Sequence, residues 1–104
     1  MSILYLTADT FKSTVQNTDK PLLVDFYADW CMPCQMLSPI LEKVAEKCGD
    51  KAVIAKINID QAENIAAEYK VASIPTMIGF KDGAEVRRQV GAIPAGEILS
   101  LLEI

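Results

Sequence analysis

The sequence predicts an α/β domain: a central mixed β-sheet of about five strands with helices on both faces. Three observations predict it. Strand-like and helix-like segments alternate in the order βαβαβαββα. Leu22–Ala28 is a nearly continuous apolar run, the pattern of a strand buried on both faces. Asp82-Gly83 separates two strand-like segments, which is a strong hairpin signal. Parallel strands are therefore expected first and an antiparallel hairpin last.

Each element has its own reason. Ser2–Leu6 is a short apolar strand candidate. Residues 8–17 read as a helix with Thr7 as N-cap and with Phe11 and Val15 on one face. Pro21 opens the Leu22–Ala28 strand. Cys34–Cys48 reads as a long helix, because Leu37, Ile40, Leu41, Val44, Ala45 and Cys48 form one apolar stripe. Gly49 is placed to end it. Ala52–Ile59 is a second central strand. Asp60 and Glu63 resemble a capping box for a helix through Tyr69. Thr76–Lys81 and Glu85–Val90 form the hairpin. Pro94 starts a last helix with Ala95, Ile98, Leu99 and Leu102 on its apolar side.

Composition narrows the chemistry. The 104 residues suit one domain, 1–104, with one core. The formal charge of −4, with no Lys/Arg cluster beyond Arg87-Arg88, argues against a nucleic-acid partner. No apolar run reaches the roughly 20 residues of a membrane span. The start, Met-Ser-Ile-Leu-Tyr, lacks a basic segment followed by a long apolar stretch, so no secretory signal is expected. The chain has no histidine, which removes Cys-His and Ser-His-Asp catalysis and His-ligated zinc. Its cysteines are Cys31, Cys34 and Cys48, too few for a disulfide-stapled scaffold and one short of a four-cysteine metal site.

Cys31-Met32-Pro33-Cys34 lies between a buried strand and a long helix. Pro33 pre-sets the helical φ and has no amide proton to leave unpaired in the first turn. Cys31 then sits at the helix N-terminus, where free amide protons and the dipole favour its thiolate. The chemistry this implies is dithiol–disulfide exchange. Cys31 attacks a partner disulfide, and Cys34, expected to be the more buried thiol, resolves the mixed disulfide. Asp25 interrupts the most apolar strand. A desolvated carboxyl there has a raised pKa and can accept the Cys34 proton. Lys56, on the expected neighbouring strand, is a candidate to pair with Asp25 and oppose that rise.

Plainer readings stand beside these. A C-x-x-C pair is also half of a metal site, and a dimer could share a cluster through two such pairs. Lys56 reads equally as a solvated charge on a strand face. Cys48, on the apolar stripe, reads as a buried inert thiol. Trp30 reads as ordinary core or, beside a reactive cysteine at a helix start, as a partly exposed rim residue, and Arg87-Arg88 reads as a solvated strand end.

Taken in order, Val24 to Cys34, Val71-Ala72-Ser73-Ile74-Pro75-Thr76, Phe80-Lys81-Asp82-Gly83 and Val90-Gly91-Ala92 resemble the thioredoxin family over essentially the whole chain. Pro39 fits the proline that kinks the family's long helix. The resemblance implies a thioredoxin-like fold and a single thioredoxin domain. It implies a cis bond before Pro75, facing the active-site sulfurs. It further implies that the backbone at Ile74 pairs with an extended partner segment, with Thr76 continuing that extended backbone. The matching docking patch is Trp30, Met32, Pro33, Ile74, Pro75, Gly91, Ala92 and the adjoining Ile93. Gly91, with no side chain, leaves room for a partner backbone. The implied electron donor is a thioredoxin reductase, and the implied redox group is the Cys31–Cys34 disulfide, with no cofactor and no metal.

This chain departs from the family pattern at three positions. Met32-Pro33 stands where the family usually has Gly-Pro, a pair that tunes redox potential, and Met32 is itself open to sulfoxidation. Gln35 stands where a Lys or Arg usually follows the second cysteine. Tyr27 stands where Trp is usual. The expected function is protein-disulfide reduction by a cytoplasmic monomer acting on disulfide-containing target proteins. The alternatives are an oxidant or isomerase of raised potential and a non-catalytic docking module.

Overall fold

The computed structural model describes residues 3–103. The strands are β1 (Leu4–Leu6), β2 (Leu22–Tyr27), β3 (Val53–Asn58), β4 (Thr76–Lys81) and β5 (Ala84–Val90). The helices are α1 (Phe11–Asn17), α2 (Met32–Cys48), α3 (Glu63–Glu68) and α4 (Ala95–Leu101), with a 3₁₀ turn at Gly49–Lys51. The sheet order is β1-β3-β2-β4-β5. β3 pairs parallel with β1 and with β2, while β4 pairs antiparallel with β2 and with β5. The fold is thioredoxin-like, with the mixed sheet and terminal hairpin the sequence predicts. Ser2, the first residue of the expected Ser2–Leu6 strand, lies outside the described residues.

The alternation of β2 divides the core. Leu22, Val24 and Phe26 point to one face, where they meet Phe11 and Val15 of α1 and Ile65 of α3. Leu23 points to the other, with Leu37, Leu41 and Val44 of α2 and with Ile98 of α4. β2 is thus covered on both sides, which accounts for its apolar run. On the first face Phe11 anchors an aromatic cluster. Its ring centroid lies 5.3 Å from Tyr69, 5.9 Å from Phe26 and 6.0 Å from Phe80.

Several boundaries differ from expectation for local reasons. α1 begins at Phe11, with Thr10 rather than Thr7 at its N-cap position. Thr7 instead closes a separate turn: its amide donates to Thr10 Oγ1 at 2.9 Å, and the Thr10 amide donates back to Thr7 Oγ1 at 3.3 Å. α2 begins at Met32, because Cys31 itself is the cap. The Asp60/Glu63 capping box does not form. Ala62 occupies the cap position of α3 without a side-chain cap, and Asp60 bonds Trp30. That helix ends at Glu68, with Tyr69 as its C-cap. The Asp82-Gly83 turn has φ of 53° and 84°, the left-handed pair that a two-residue hairpin turn requires.

Truncating Phe11 opens a cavity where three aromatic rings meet. Phe11→Ala is expected to destabilise the protein by about 3–5 kcal/mol, read as a lower urea midpoint at unchanged slope. The folded variant should keep its disulfide chemistry, since the cluster lies on the face away from α2.

Candidate active site

The site lies beyond the carboxyl end of β2, where parallel strands deliver loops and helix N-termini to one edge. After Tyr27 the chain turns, and the Cys31 amide donates to Ala28 O at 3.2 Å. Cys31 leaves the turn in an extended conformation, and α2 starts at the next residue with Pro33 in its first turn. Cys31 and Cys34 form a disulfide across Cα atoms 5.2 Å apart. The Cys34 amide points at Cys31 Sγ from 3.3 Å. The cysteine thereby caps its own helix, and the free first-turn amides and dipole are aimed at its sulfur. Both cysteines are buried, Cys31 at 5% exposure and Cys34 at 3%, so Cys34 is the more covered by only a narrow margin. Gln35, in place of a cation, donates its side-chain amide to Asp29 O at 2.9 Å and fastens the loop to the first turn of α2.

A second loop meets the first. The Ile74–Pro75 peptide is cis, and Ile74 O lies 3.8 Å from Cys31 Sγ. Pro75 O accepts the Gly91 amide at 2.8 Å, which joins the loop to the end of β5. Gly91 has φ of 93°, a conformation that excludes most side chains, and an added Cβ would meet nothing within 4 Å. The glycine therefore serves its own backbone and leaves open space beside it.

The expected docking residues separate into two groups. Trp30 and Met32 are about two-thirds exposed, at 67% and 66%. Pro33 and Ala92 are exposed, and Ile74, Gly91 and Ile93 are half-buried. Pro75 and Thr76 lie beneath this surface. Thr76 is 1% exposed, and its hydroxyl donates to Ser73 O at 2.5 Å, so its side chain faces into the loop and away from the surface. Met36 went unnoticed in the sequence. It is 67% exposed and stands one helical turn beyond Met32, a spacing that could have flagged it. The Trp30 indole donates to Asp60 at 2.8 Å, which fixes the ring at the rim.

Asp25 lies on the α2 face of β2, in register with Lys56 on β3 and Met77 on β4. It is fully buried, and neither carboxylate oxygen has a hydrogen-bond partner among the described residues. Burial pushes its pKa from 3.8 to about 7, opposed in part by Lys56. The expected direct ion pair is not what Lys56 makes. Its ammonium donates to Ser38 Oγ at 3.3 Å and sits 4.5 Å from the centre of the Tyr27 ring. Lys56 is 5% exposed, which rules out the solvated-charge reading. A cleft of about 280 Å³ runs between Cys34, Ser38, Lys56 and Tyr27. A larger cleft of about 420 Å³, lined by Leu22, Phe80, Arg87 and Leu102 at the other end of β2, contains none of these residues. Cys48 is buried in the α2 core, where burial pushes its thiol pKa up, as an inert thiol requires. Among the described residues no cluster of three or more Cys, Asp or Glu could hold a metal, and no helix is long and apolar enough to cross a membrane.

A family model described as Thioredoxin matches residues 2–103. The chain belongs to the thioredoxin family. Relatives support this along the sequence. A thioredoxin of Mycolicibacterium smegmatis is 51% identical over 89 residues, covering 84% of this chain and 80% of its own. A thioredoxin of Porphyra purpurea is 44% identical over 102 residues, covering 98% and 95%. One of Acidithiobacillus ferridurans is 40% identical over 102 residues, covering 98% and 94%. The family and the Cys31–Cys34 pair make this chain a thiol–disulfide oxidoreductase whose reaction is thiol–disulfide exchange. Thioredoxins in general act on disulfide targets together with a reductase.

The Asp25 environment has a consequence for stability. Folding raises its pKa from about 4 to about 7, so the folded state holds a proton that the unfolded state has lost. Stability of the oxidised protein should therefore fall as pH rises through that window, by up to about 1.4 kcal/mol per pH unit. Asp25→Asn should remove the slope and be more stable than the parent at pH 8, measured by urea unfolding across pH.

Proposed function

We propose that this thioredoxin-family protein is a protein-disulfide reductase in which Cys31 is the nucleophile, Cys34 the resolving thiol and Asp25 the proton acceptor. The observation that carries the reading is the Cys31 sulfur, capping α2 and 3.8 Å from Ile74 O on the facing loop. A partner strand laid along Ile74 brings its own disulfide to that sulfur. Trp30, Met32, Pro33, Gly91 and Ala92 supply the apolar contact around it.

The steps balance as follows. The Cys31 thiolate attacks one partner sulfur, a Cys31–partner bond forms, and the partner disulfide breaks to a thiolate that takes a proton from water. The Cys34 thiol then gives its proton to the Asp25 carboxylate. Its thiolate attacks Cys31 Sγ, the Cys31–Cys34 bond forms, and the partner leaves with both sulfurs reduced. A carboxyl with pKa about 7 both accepts and releases a proton near neutrality. Lys56 assists from the cleft that also reaches Cys34. Two electrons from a thioredoxin reductase restore the dithiol. Residues 1–104 work as a single domain and a monomer, and a reducing thiol carrier of this kind belongs in the cytoplasm.

Cys34→Ser should leave the attack intact and trap a covalent complex with disulfide-bearing proteins, seen as a dithiothreitol-sensitive mass increase. Cys31→Ser should trap nothing, while a docking module would bind equally with either change. A redox titration followed through Trp30 fluorescence should give a midpoint near or below about −250 mV. A midpoint toward about −180 to −120 mV would make the protein an oxidant or isomerase, with Met32 the residue that moved it.

A further inference from the structure

Ser38 takes no part in the exchange steps above, yet it stands one turn after Cys34 on the same side of α2 and borders the same cleft. We propose that Ser38 is a positioning residue, whose hydroxyl holds the Lys56 ammonium on the cleft side and keeps it from closing an ion pair with Asp25. The inference rests on Asp25 being the proton acceptor.

Three features of the geometry carry it. Lys56 and Asp25 are directly opposed in the β2–β3 register, the placement from which an ion pair would form. Lys56 Nζ instead bonds Ser38 Oγ at 3.3 Å and rests 4.5 Å over the Tyr27 ring. Both Asp25 oxygens remain unbonded among the described residues. A buried ammonium needs an acceptor, because leaving it unpaired is costly. If the serine oxygen is removed, Asp25, the one buried carboxylate among the described residues and directly opposite in register, is the acceptor that remains inside the core. A closed ion pair would favour the ionised acid and lower its titration point. One other carboxylate borders the pair among the described residues: Asp29, exposed on the loop after β2, lines the same cleft but is not opposite Lys56 in the sheet. β4 presents Met77, α4 contributes apolar Ile98 to the same face, and Tyr5 of β1 places only its ring 5.8 Å from the ammonium. Tyr27 faces the ammonium with its ring, and its hydroxyl is held neutral, chiefly by burial and then by Asp29, Tyr5 and Asp25. The Cys34 thiol of the reduced form borders the cleft and is the proton donor of the reaction.

The test is the carboxyl titration of Asp25, followed by carbon NMR in the oxidised protein, beside the pH profile of the Cys34 resolving step. Ser38→Ala should lower the Asp25 midpoint by on the order of one pH unit, the lower end of what an opposite charge in direct contact does to a carboxylate. The acidic limb of the resolving step should move down with it, and Ser38→Thr should restore both. Ser38→Val supplies the isosteric comparison with Thr should the alanine variant fold poorly. A midpoint unchanged or raised in both Ala and Val variants would overturn the proposal, as would a loss of stability without any shift. Asp25→Asn separates the two readings. If its resolving step keeps the parent pH profile, Asp25 is not the proton acceptor, whatever Ser38 does to the carboxyl titration.

Discussion

β2 carries the two demands on which the rest of the structure depends. It must be buried on both faces to hold the sheet together, and it must end where a helix N-terminus can begin. The first demand places Leu22, Val24 and Phe26 against α1 and α3, and Leu23 against α2 and α4. The second places Cys31 at the cap of α2, with the Cys34 amide on its sulfur. Because the strand is central, its end is flanked by the loop before β4, so Ile74 O arrives beside Cys31 without any further device.

Asp25 is the one carboxyl buried in this strand. Leu23 and Met77 are its apolar neighbours on β2 and β4, and Lys56 on β3 is the cation opposite it in register. The desolvation that makes the carboxyl destabilising when ionised is the same effect that brings its pKa to about 7. Stability and the proton exchange proposed for Asp25 are therefore set by one environment. Lys56 acts within it, with its charge anchored on α2 through Ser38 and on the Tyr27 ring.

The rim of the site combines rigid and adaptable groups. Trp30 is tied to Asp60, whereas Met32 and Met36 are unbranched, exposed side chains that can reshape against different partners. With Gln35 bonded back to Asp29 O, the start of α2 presents an uncharged surface, so the proposed docking there rests on shape and apolar contact more than on charge.

Much of this was legible in the sequence because it depends on local chemistry and period. The apolar run of β2, the helical stripe ending at Cys48, the Asp82-Gly83 turn and the Cys31–Cys34 spacing each carry their reason within a few residues. Asp25 was legible too, as a charge where period and hydropathy demand an apolar residue. The errors arose where two segments distant in sequence compete for one group. Asp60 looked like a helix cap and was taken by Trp30. Thr76 looked available for a partner and was turned inward to Ser73 O. Lys56 opposes the Asp25 pKa rise as expected, but its hydrogen bond goes to Ser38 and not to the carboxylate. The sequence by itself determined the elements, the core faces and the reactive cysteine pair. Tertiary structure alone decided which acceptor each of these donors found, because that choice depends on distances between elements that no local pattern encodes.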